Sequence, residues 1–153
     1  MTSFTLEVEN TLTDFYVRGI PAAVNPECVL SEAAPSQGLP DRIIKNTQAW
    51  DVTFKWQVDG PTALAMGPCN WLLNVYLLKL SGGGGAVQAA PTTTVPYAVG
   101  NPIPDNYIVT INIPASAVPV GLYKLYTSVE IQSPAVIPVT MFGEGPVMKI
   151  YKP

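Results

Sequence analysis

The sequence contains no histidine, and charged residues make up only 12% of the chain. Histidine is the usual general base near neutral pH and the commonest metal ligand. Its absence excludes Ser-His-Asp and Cys-His catalytic sites and every metal site that depends on imidazole. The calcium-binding run Asp-x-Asp-x-Asp-Gly is also missing. We therefore expect neither a metal nor another cofactor.

Positive charge is scarce as well. The chain has 8 Lys+Arg residues against 11 Asp+Glu, a formal net charge of −3, and its arginines are Arg18 and Arg42. Without a basic stripe it cannot neutralise the phosphates that supply most nonspecific nucleic-acid affinity. No apolar run approaches the ~20 residues needed to span a bilayer. We expect no nucleic-acid binding and no membrane insertion.

A secretory signal is also missing from the start of the sequence. Glu7 and Glu9 stand where such a signal has lysines and then an apolar segment of about 7 to 15 residues. This pattern predicts a cytoplasmic protein, one exported by a non-classical route, or an already mature chain. The sequence does not separate these alternatives, so the localisation stays open.

No pattern of acidic residues indicates an active site. A glycosidase needs two positioned carboxylates, whereas Asp59, Asp105, Glu130 and Glu144 are scattered without a motif. The glycines at 82–85 lack the Lys-Ser/Thr of a phosphate-binding loop. We interpret the acids as turn residues and solvated strand faces, and we expect that the protein is not an enzyme.

What the chain does have is a repeated alternation of apolar and polar residues. At 153 residues it is the size of one domain, 1–153, and long enough to bury a core. A period of two residues is typical of a strand with one buried face. The predicted strands are 4–9, 14–18, 50–58, 70–80, 93–98, 107–113, 121–132, 135–142 and 147–151, with 93–98 and 135–142 at sheet edges because they contain proline.

The connections are rich in proline, which accounts for 16 residues. Residues 21–48 carry prolines too frequently for a long element, so we expect an extended connection there. Within it, Asn25-Pro26-Glu27 has the order of a helix cap and first turn, which predicts a short helix from Pro26 to about Ala33. Residues 90–104 should be extended as well.

These features predict an all-β fold: an immunoglobulin-like β-sandwich of about eight or nine mostly antiparallel strands with long Pro-rich connections. The stretch from Ile113-Pro114 to Gly121-Leu122-Tyr123 resembles the strand, short turn, Gly-x-Tyr, strand arrangement common in immunoglobulin-like domains. The resemblance covers roughly 30 residues and implies a fold only, because that fold serves many functions.

One predicted strand is apolar on both faces. In residues 70–80, Leu72, Tyr76, Leu78 and Leu80 lie opposite a second apolar face that begins at Trp71. A strand of this kind needs cover on both sides. Either the connection 21–48 folds over Leu72, Tyr76, Leu78 and Leu80, or a neighbouring subunit does.

The terminal strands provide a second possible interface. Edge and terminal strands are templates for pairing with another chain. A strand around Phe4 and Leu6, or one from Val147 to Tyr151, could therefore complete a neighbour's sheet.

Aromatic residues allow a different kind of site. Trp50, Trp56 and Trp71 could form a sugar-stacking platform, but Trp50 and Trp56 share the apolar face of one amphipathic strand, which favours core packing. Tyr97 and Tyr107 flank the Pro-rich segment and are expected to be exposed. Cys28 and Cys69 are either buried free thiols or a disulfide.

The function that these features favour is a non-enzymatic structural protein. Low charge weakens the repulsion between copies, so we expect a self-associating subunit of a homo-oligomer, filament, lattice or shell. The alternative is a carbohydrate- or protein-binding module that uses loops 81–86 and 96–105.

Overall fold

Alternating burial organises nearly every strand of the computed structural model, which describes residues 2–32, 43–65, 69–80, 85–97, 105–132 and 139–153. The elements are β1 (Thr2–Asn10), β2 (Tyr16–Arg18), β3 (Glu27–Glu32), β4 (Ile43–Lys45), β5 (Trp50–Asp59), α1 (Pro61–Ala65), β6 (Asn70–Lys79), β7 (Ala86–Gln88), β8 (Thr93–Pro96), β9 (Asp105–Ile113), β10 (Gly121–Gln132) and β11 (Val139–Tyr151). In β5, Trp50, Val52, Phe54, Trp56 and Val58 are all buried, as their spacing predicts.

The 11 strands of the described residues form one curled sheet that is antiparallel except for the parallel pair β4–β11. The strand order is β2-β5-β3-β1-β11-β10-β6-β7, while β4 pairs with β11, β8 with β6, and β9 with β5. β1 joins the two halves of the sheet, because Thr2–Thr5 pair with β3 and Leu6–Asn10 pair with β11. The all-β class is confirmed, and the strand count is higher than the expected eight or nine.

The core lies inside the curl. β3 in one half and β10 in the other meet there, where the Cys28 Sγ and Thr127 Oγ1 atoms are 3.5 Å apart and form a hydrogen bond. Gly143 on β11 leaves room for β1: a Cβ at this position would lie 2.8 Å from Leu6 Cδ2 and 2.9 Å from Phe4 Cε2. Small residues at such positions allow close packing between neighbouring strands.

The expected helix from Pro26 to Ala33 is wrong over its described residues. Glu27–Glu32 form β3, which pairs with β1 on one side and β5 on the other. The helix signal at Asn25-Pro26-Glu27 is local, whereas Cys28 and Leu30 are both fully buried by strand pairing. Burial of these side chains outweighs a capping preference of about 1 kcal/mol.

The C-terminal region also differs from the expectation. Instead of two strands separated at Gly143–Pro146, it forms the single strand β11, which lies between β1 and β10 and not at an edge. The register with β10 shifts between Lys124 and Tyr126, so that Leu125 lies opposite Gly145 and Pro146. A β-bulge of this kind accepts a proline inside a sheet because one residue leaves the hydrogen-bond ladder.

Helix is confined to α1 among the described elements. α1 is five residues long. No helix in the described part of the chain has the length and apolar character to cross a membrane.

Candidate self-association surface

The strand with two apolar faces, β6, lies next to β10, and β10 lies next to β11. Their inward residues fill the core, and their other side carries a continuous surface that we call the outer face. The outer face consists of Leu72, Asn74, Tyr76, Leu78 and Leu80 around β6; Leu122, Lys124, Tyr126, Ser128 and Glu130 on β10; Thr140, Phe142, Glu144, Val147 and Lys149 on β11; and Glu7 and Glu9 on β1.

The centre of the outer face is aromatic. Tyr76 on β6 and Tyr126 on β10 are direct register partners. The ring centroids of Tyr126 and Phe142 are 5.8 Å apart, and Phe142 is 49% exposed. Aromatic rings at this separation stabilise one another and leave flat apolar area for a partner.

One end of the outer face combines exposed aliphatic side chains with lysines. Leu78, Leu80, Leu122 and Val147 are all exposed. Leu122 lies opposite Lys149, and Leu78 lies opposite Lys124. The Lys124 Nζ atom forms an ion pair with Glu144 Oε1 at 3.5 Å. This end is therefore both apolar and basic.

The opposite end carries acids. Glu9 on β1 and Glu130 on β10 are both register partners of Thr140, and Glu130 also lies opposite Leu72. Glu9 is exposed and Glu130 half-buried. The outer face thus runs from an acidic end through an aromatic centre to a basic apolar end.

Asn74 interrupts the apolar outer side of β6. Its Oδ1 atom accepts hydrogen bonds from Thr92 Oγ1 at 2.6 Å and Gln88 Nε2 at 3.3 Å, and its Nδ2 atom donates to Ser128 Oγ at 3.4 Å. These bonds hold the connection after β7 against the outer side of β6. Asn74 is consequently buried, and the apolar area divides into Leu72 on one side and Tyr76, Leu78 and Leu80 on the other.

The structure brings some of the predicted interface residues together and separates others. Leu72, Tyr76, Leu78, Leu80 and Val147 all lie on the outer face. Leu6 is buried in the core, and Phe4 is half-buried against it. Tyr151, at the end of β11, pairs with Lys45 on β4. β1 and β11 are neighbours inside the sheet, and the pairing of either terminal strand with another chain stays a prediction.

The expected exposure of Tyr97 and Tyr107 is also wrong, since they are only 6% and 7% exposed. They belong to an interior cluster in which Trp56 stacks on Tyr107 at 5.0 Å and contacts Trp71 edge-on at 5.1 Å. The Tyr97 hydroxyl donates to the Ala63 carbonyl oxygen at 2.7 Å, and burial raises the pKa of this hydroxyl well above its usual range. Core packing of the tryptophans is confirmed for all three.

Both cysteines are free and buried. Burial raises the pKa of the Cys28 thiol to about 12, although its hydrogen bond with Thr127 acts in the opposite direction. Burial also raises the pKa of Cys69. Since the thiolate is the reactive form of cysteine, neither position is suited to nucleophilic chemistry.

Sequence reasoning missed Tyr126, Phe142 and Leu122 as members of this surface. The alternation in β10 places Leu122 and Tyr126 on its polar side, beside lysine and glutamate. Two large apolar residues on a polar strand face are the sequence signal that indicates an exposed apolar surface there. Phe142 is 49% exposed, and its predicted strand, 135–142, is expected at a sheet edge. Only the pairing of β11 between β1 and β10 shows that these residues adjoin β6.

The expected cover for β6 from the connection 21–48 does not come from its described part. Residues 27–32 form β3 in the other half of the sheet, and 43–45 form β4 on β11. Residues 33–42 lie outside the described ranges, as do 81–84 and 98–104 of the loops considered for ligand binding. Across the described residues, no group of three or more Cys, Asp or Glu side chains is arranged to hold a metal ion.

Comparison of the chain with protein-family models, with curated proteins and with solved structures yields no match.

Proposed function

We propose that this chain is a non-enzymatic structural protein that self-associates, and that its partner on the outer face is a second copy of the same chain. The observation that carries the proposal is the partly exposed aromatic cluster of Tyr76, Tyr126 and Phe142, with acids at one end of the outer face and lysines at the other. Exposed apolar patches of this extent on small domains typically mark interaction sites.

The charge distribution favours a copy of the chain over an unrelated partner. A two-fold axis that lies in the plane of the outer face and crosses the strands near Tyr126 would stack two outer faces. It would bring Glu9 and Glu130 of one copy towards Lys124 and Lys149 of the other. The same axis would stack the aromatic centres on each other. Two-fold interfaces are self-complementary in this way and are the commonest arrangement in homo-oligomers.

The size of the outer face approaches that of a stable dimer interface. At about 4.8 Å spacing, β6, β10 and β11 with about nine residues each at 3.4 Å, and β1 with about three, give on the order of 500 Å² per copy. Standard interfaces bury about 800 Å² per partner. A single outer face would therefore supply most of what an interface of ordinary size requires.

The first experiment compares two matched variants, Leu122→Glu and Ile108→Glu. Leu122 is 40% exposed on the outer face, and Ile108 is 62% exposed on β9. Each residue lies opposite a lysine of a neighbouring strand, Lys149 and Lys55 respectively. The new glutamate therefore has the same local charge partner in both variants.

We expect light scattering to give a mass of two or more 16.4 kDa chains for the unmodified protein and for Ile108→Glu. Leu122→Glu should weaken association at least tenfold, because it places a charge in the apolar contact. Monomeric unmodified protein at high micromolar concentration would refute the proposal. Equal loss of association in both variants would place the contact elsewhere.

We further infer that the two halves of the curled sheet form an immunoglobulin-like sandwich. The Tyr123 hydroxyl donates to the Pro119 carbonyl oxygen at 2.8 Å, which is the geometry of the tyrosine corner in such domains. The contact between Trp56 on β5 and Trp71 on β6 supports face-to-face packing of the halves. A crystal structure in which β5 and β6 do not pack face to face would contradict this assignment.

A further inference from the structure

A groove of about 580 Å³ lies between β1 and β2. Its walls are Thr5–Val8 of β1, Val17 and Arg18 of β2, and residues 22–26 of the connection to β3. Ligand sites usually measure about 300 to 1,000 Å³. Apart from Glu7, the residues that line the groove do not belong to the outer face, so self-association through that face does not account for the groove.

The β1 wall exposes a strand edge. The Leu6 amide donates to the Pro26 carbonyl oxygen at 2.8 Å. In an antiparallel ladder every second residue directs its N–H and C=O groups to the same side, so the main chain of Val8 also faces this side. The pairing of β1 with β3 covers only Thr2–Thr5. Val8 therefore presents its amide and carbonyl groups to the groove.

The β2 wall exposes a second edge. In the same ladder the main-chain N–H and C=O groups of Cys28 point towards β1, and those of Glu27 point towards Lys55 of β5. Gln57 lies two residues after Lys55 on β5, so its main-chain groups face the same side as those of Lys55. Gln57 lies opposite Arg18 of β2. Val17, the neighbour of Arg18, must therefore turn its amide and carbonyl groups away from β5 and into the groove.

The edges of β1 and β2 both line the groove without pairing with each other. β2 and β3 both pair antiparallel with β5, in successive registers along it. β3 contacts β1 on its other side, but the register of β1 and β2 contains no pairing between them among the described strands. A residue in a sheet occupies roughly 3.4 by 4.8 by 10 Å, or about 160 Å³, so the groove holds about three to four residues.

We propose that an extended peptide segment binds in this groove as an added strand, hydrogen-bonded to Val8 on one side and Val17 on the other. Strand addition of this kind obtains its affinity from main-chain hydrogen bonds and its specificity from alternate side chains. Side chains that point inwards meet Leu6, Val8 and Val17 and should be apolar.

The charges at the groove indicate which outward-pointing side chains the bound peptide should carry. Glu7 lines the groove and is exposed. The Arg18 guanidinium is already paired with Asp59 Oδ2 at 3.2 Å and lies 4.9 Å from the centre of the Tyr16 ring. Opposite charges on adjacent strands stabilise their pairing. The peptide that fits therefore alternates apolar residues with lysine or arginine.

The test uses a synthetic probe, an acetylated and amidated heptapeptide that alternates lysine and valine. A matched peptide carries N-methyl groups on its valine amides, which keeps every side chain and charge but removes hydrogen-bond donors. Both are titrated into the isotope-labelled protein and followed by amide NMR signals. The first peptide should shift the Val8 and Val17 signals and slow their hydrogen exchange at least tenfold, and the N-methylated peptide should bind at least tenfold more weakly.

Two variants make the result specific to the groove. Val17→Pro removes the amide that faces the groove but none that pairs with β5, so the fold should persist by circular dichroism while binding falls at least tenfold. Glu7→Gln should lower the affinity two- to fivefold. Absence of binding at millimolar peptide, or equal binding of both peptides, would overturn the proposal, since equal binding indicates only charge attraction to an acidic surface.

Discussion

At the scale of single residues, the Cys28 thiol and the Thr127 hydroxyl connect the two halves of the sheet through a buried polar contact. Both residues are fully buried. A buried hydrogen-bonded pair satisfies groups that would otherwise be costly to bury. Burial of the thiol also affects stability, because it raises the pKa of Cys28 above its value in the unfolded chain.

We expect stability to fall as the pH rises above about 9. The pKa of Cys28 is raised from 9.0 to about 12 in the fold, so the unfolded chain releases this proton first and unfolding is favoured between those two values. Below pH 9 the contribution is fully present. Urea midpoints measured from pH 7 to 11 test this.

The matched variant for this measurement is Cys28→Ala. Its midpoint should decline less steeply above pH 9 than that of the unmodified protein. Some decline should remain, because burial also raises the pKa values of Cys69, Tyr97 and Tyr123. Identical slopes for the two proteins would show that Cys28 does not control the alkaline transition.

At the scale of elements, β6 is paired with neighbouring strands along both of its edges. β10 pairs along its whole length, while β7 and β8 pair with successive parts of its other edge. Between β7 and β8 the chain is held by Asn74, which accepts hydrogen bonds from Gln88 and Thr92. The Ala89 amide also donates to the Val75 carbonyl oxygen at 2.9 Å.

We expect Asn74→Ala to loosen this connection without unfolding the protein. It removes the partners of Gln88 and Thr92, at a cost of about 1 to 3 kcal/mol. Hydrogen exchange at the Ala89 amide should accelerate about tenfold or more, because local opening becomes easier. The Val129 amide in β10 serves as the control, and acceleration of the two amides by equal factors would indicate global destabilisation instead.

At the scale of the whole molecule, the separation of charge across the outer face is the feature that would orient two copies in the proposed assembly. Glu9 and Lys149 are both exposed, on β1 and β11 respectively. They lie towards opposite ends of the outer face, on either side of the register pair Tyr126 and Glu144. In the proposed two-fold arrangement each would face its opposite on the other copy.

Charge reversal tests this orientation. Glu9→Lys alone and Lys149→Glu alone should each weaken self-association several-fold, because like charges then meet across the interface. An equimolar mixture of the two variants should associate again as a heterodimer, since every contact regains opposite charges. Sedimentation velocity at low salt measures this. If the mixture stays as dissociated as the single variants, the two-fold arrangement is wrong.

Much of the fold follows from local patterns. The alternation in 50–58, 107–113 and 121–132 predicts β5, β9 and β10 with nearly correct bounds, because burying one face of a strand imposes a two-residue period. The two apolar faces of residues 70–80 likewise identify β6 as the strand most in need of cover. Interior packing of Trp50 and Trp56 follows from the same period.

The rest depends on pairing between residues far apart in the chain. β3 replaces a locally favoured helix because Cys28 and Leu30 fit between β1 and β5, and β11 stays continuous because a bulge accepts Pro146. The burial of Tyr97 and Leu6 and the meeting of Tyr126, Phe142 and Tyr76 are also set by strand order. The sequence by itself determined an all-β chain without histidine chemistry, since composition and period are local properties. Only the tertiary structure decided which faces adjoin, because strand register is fixed by long-range hydrogen bonds and by the packing of both halves around one core.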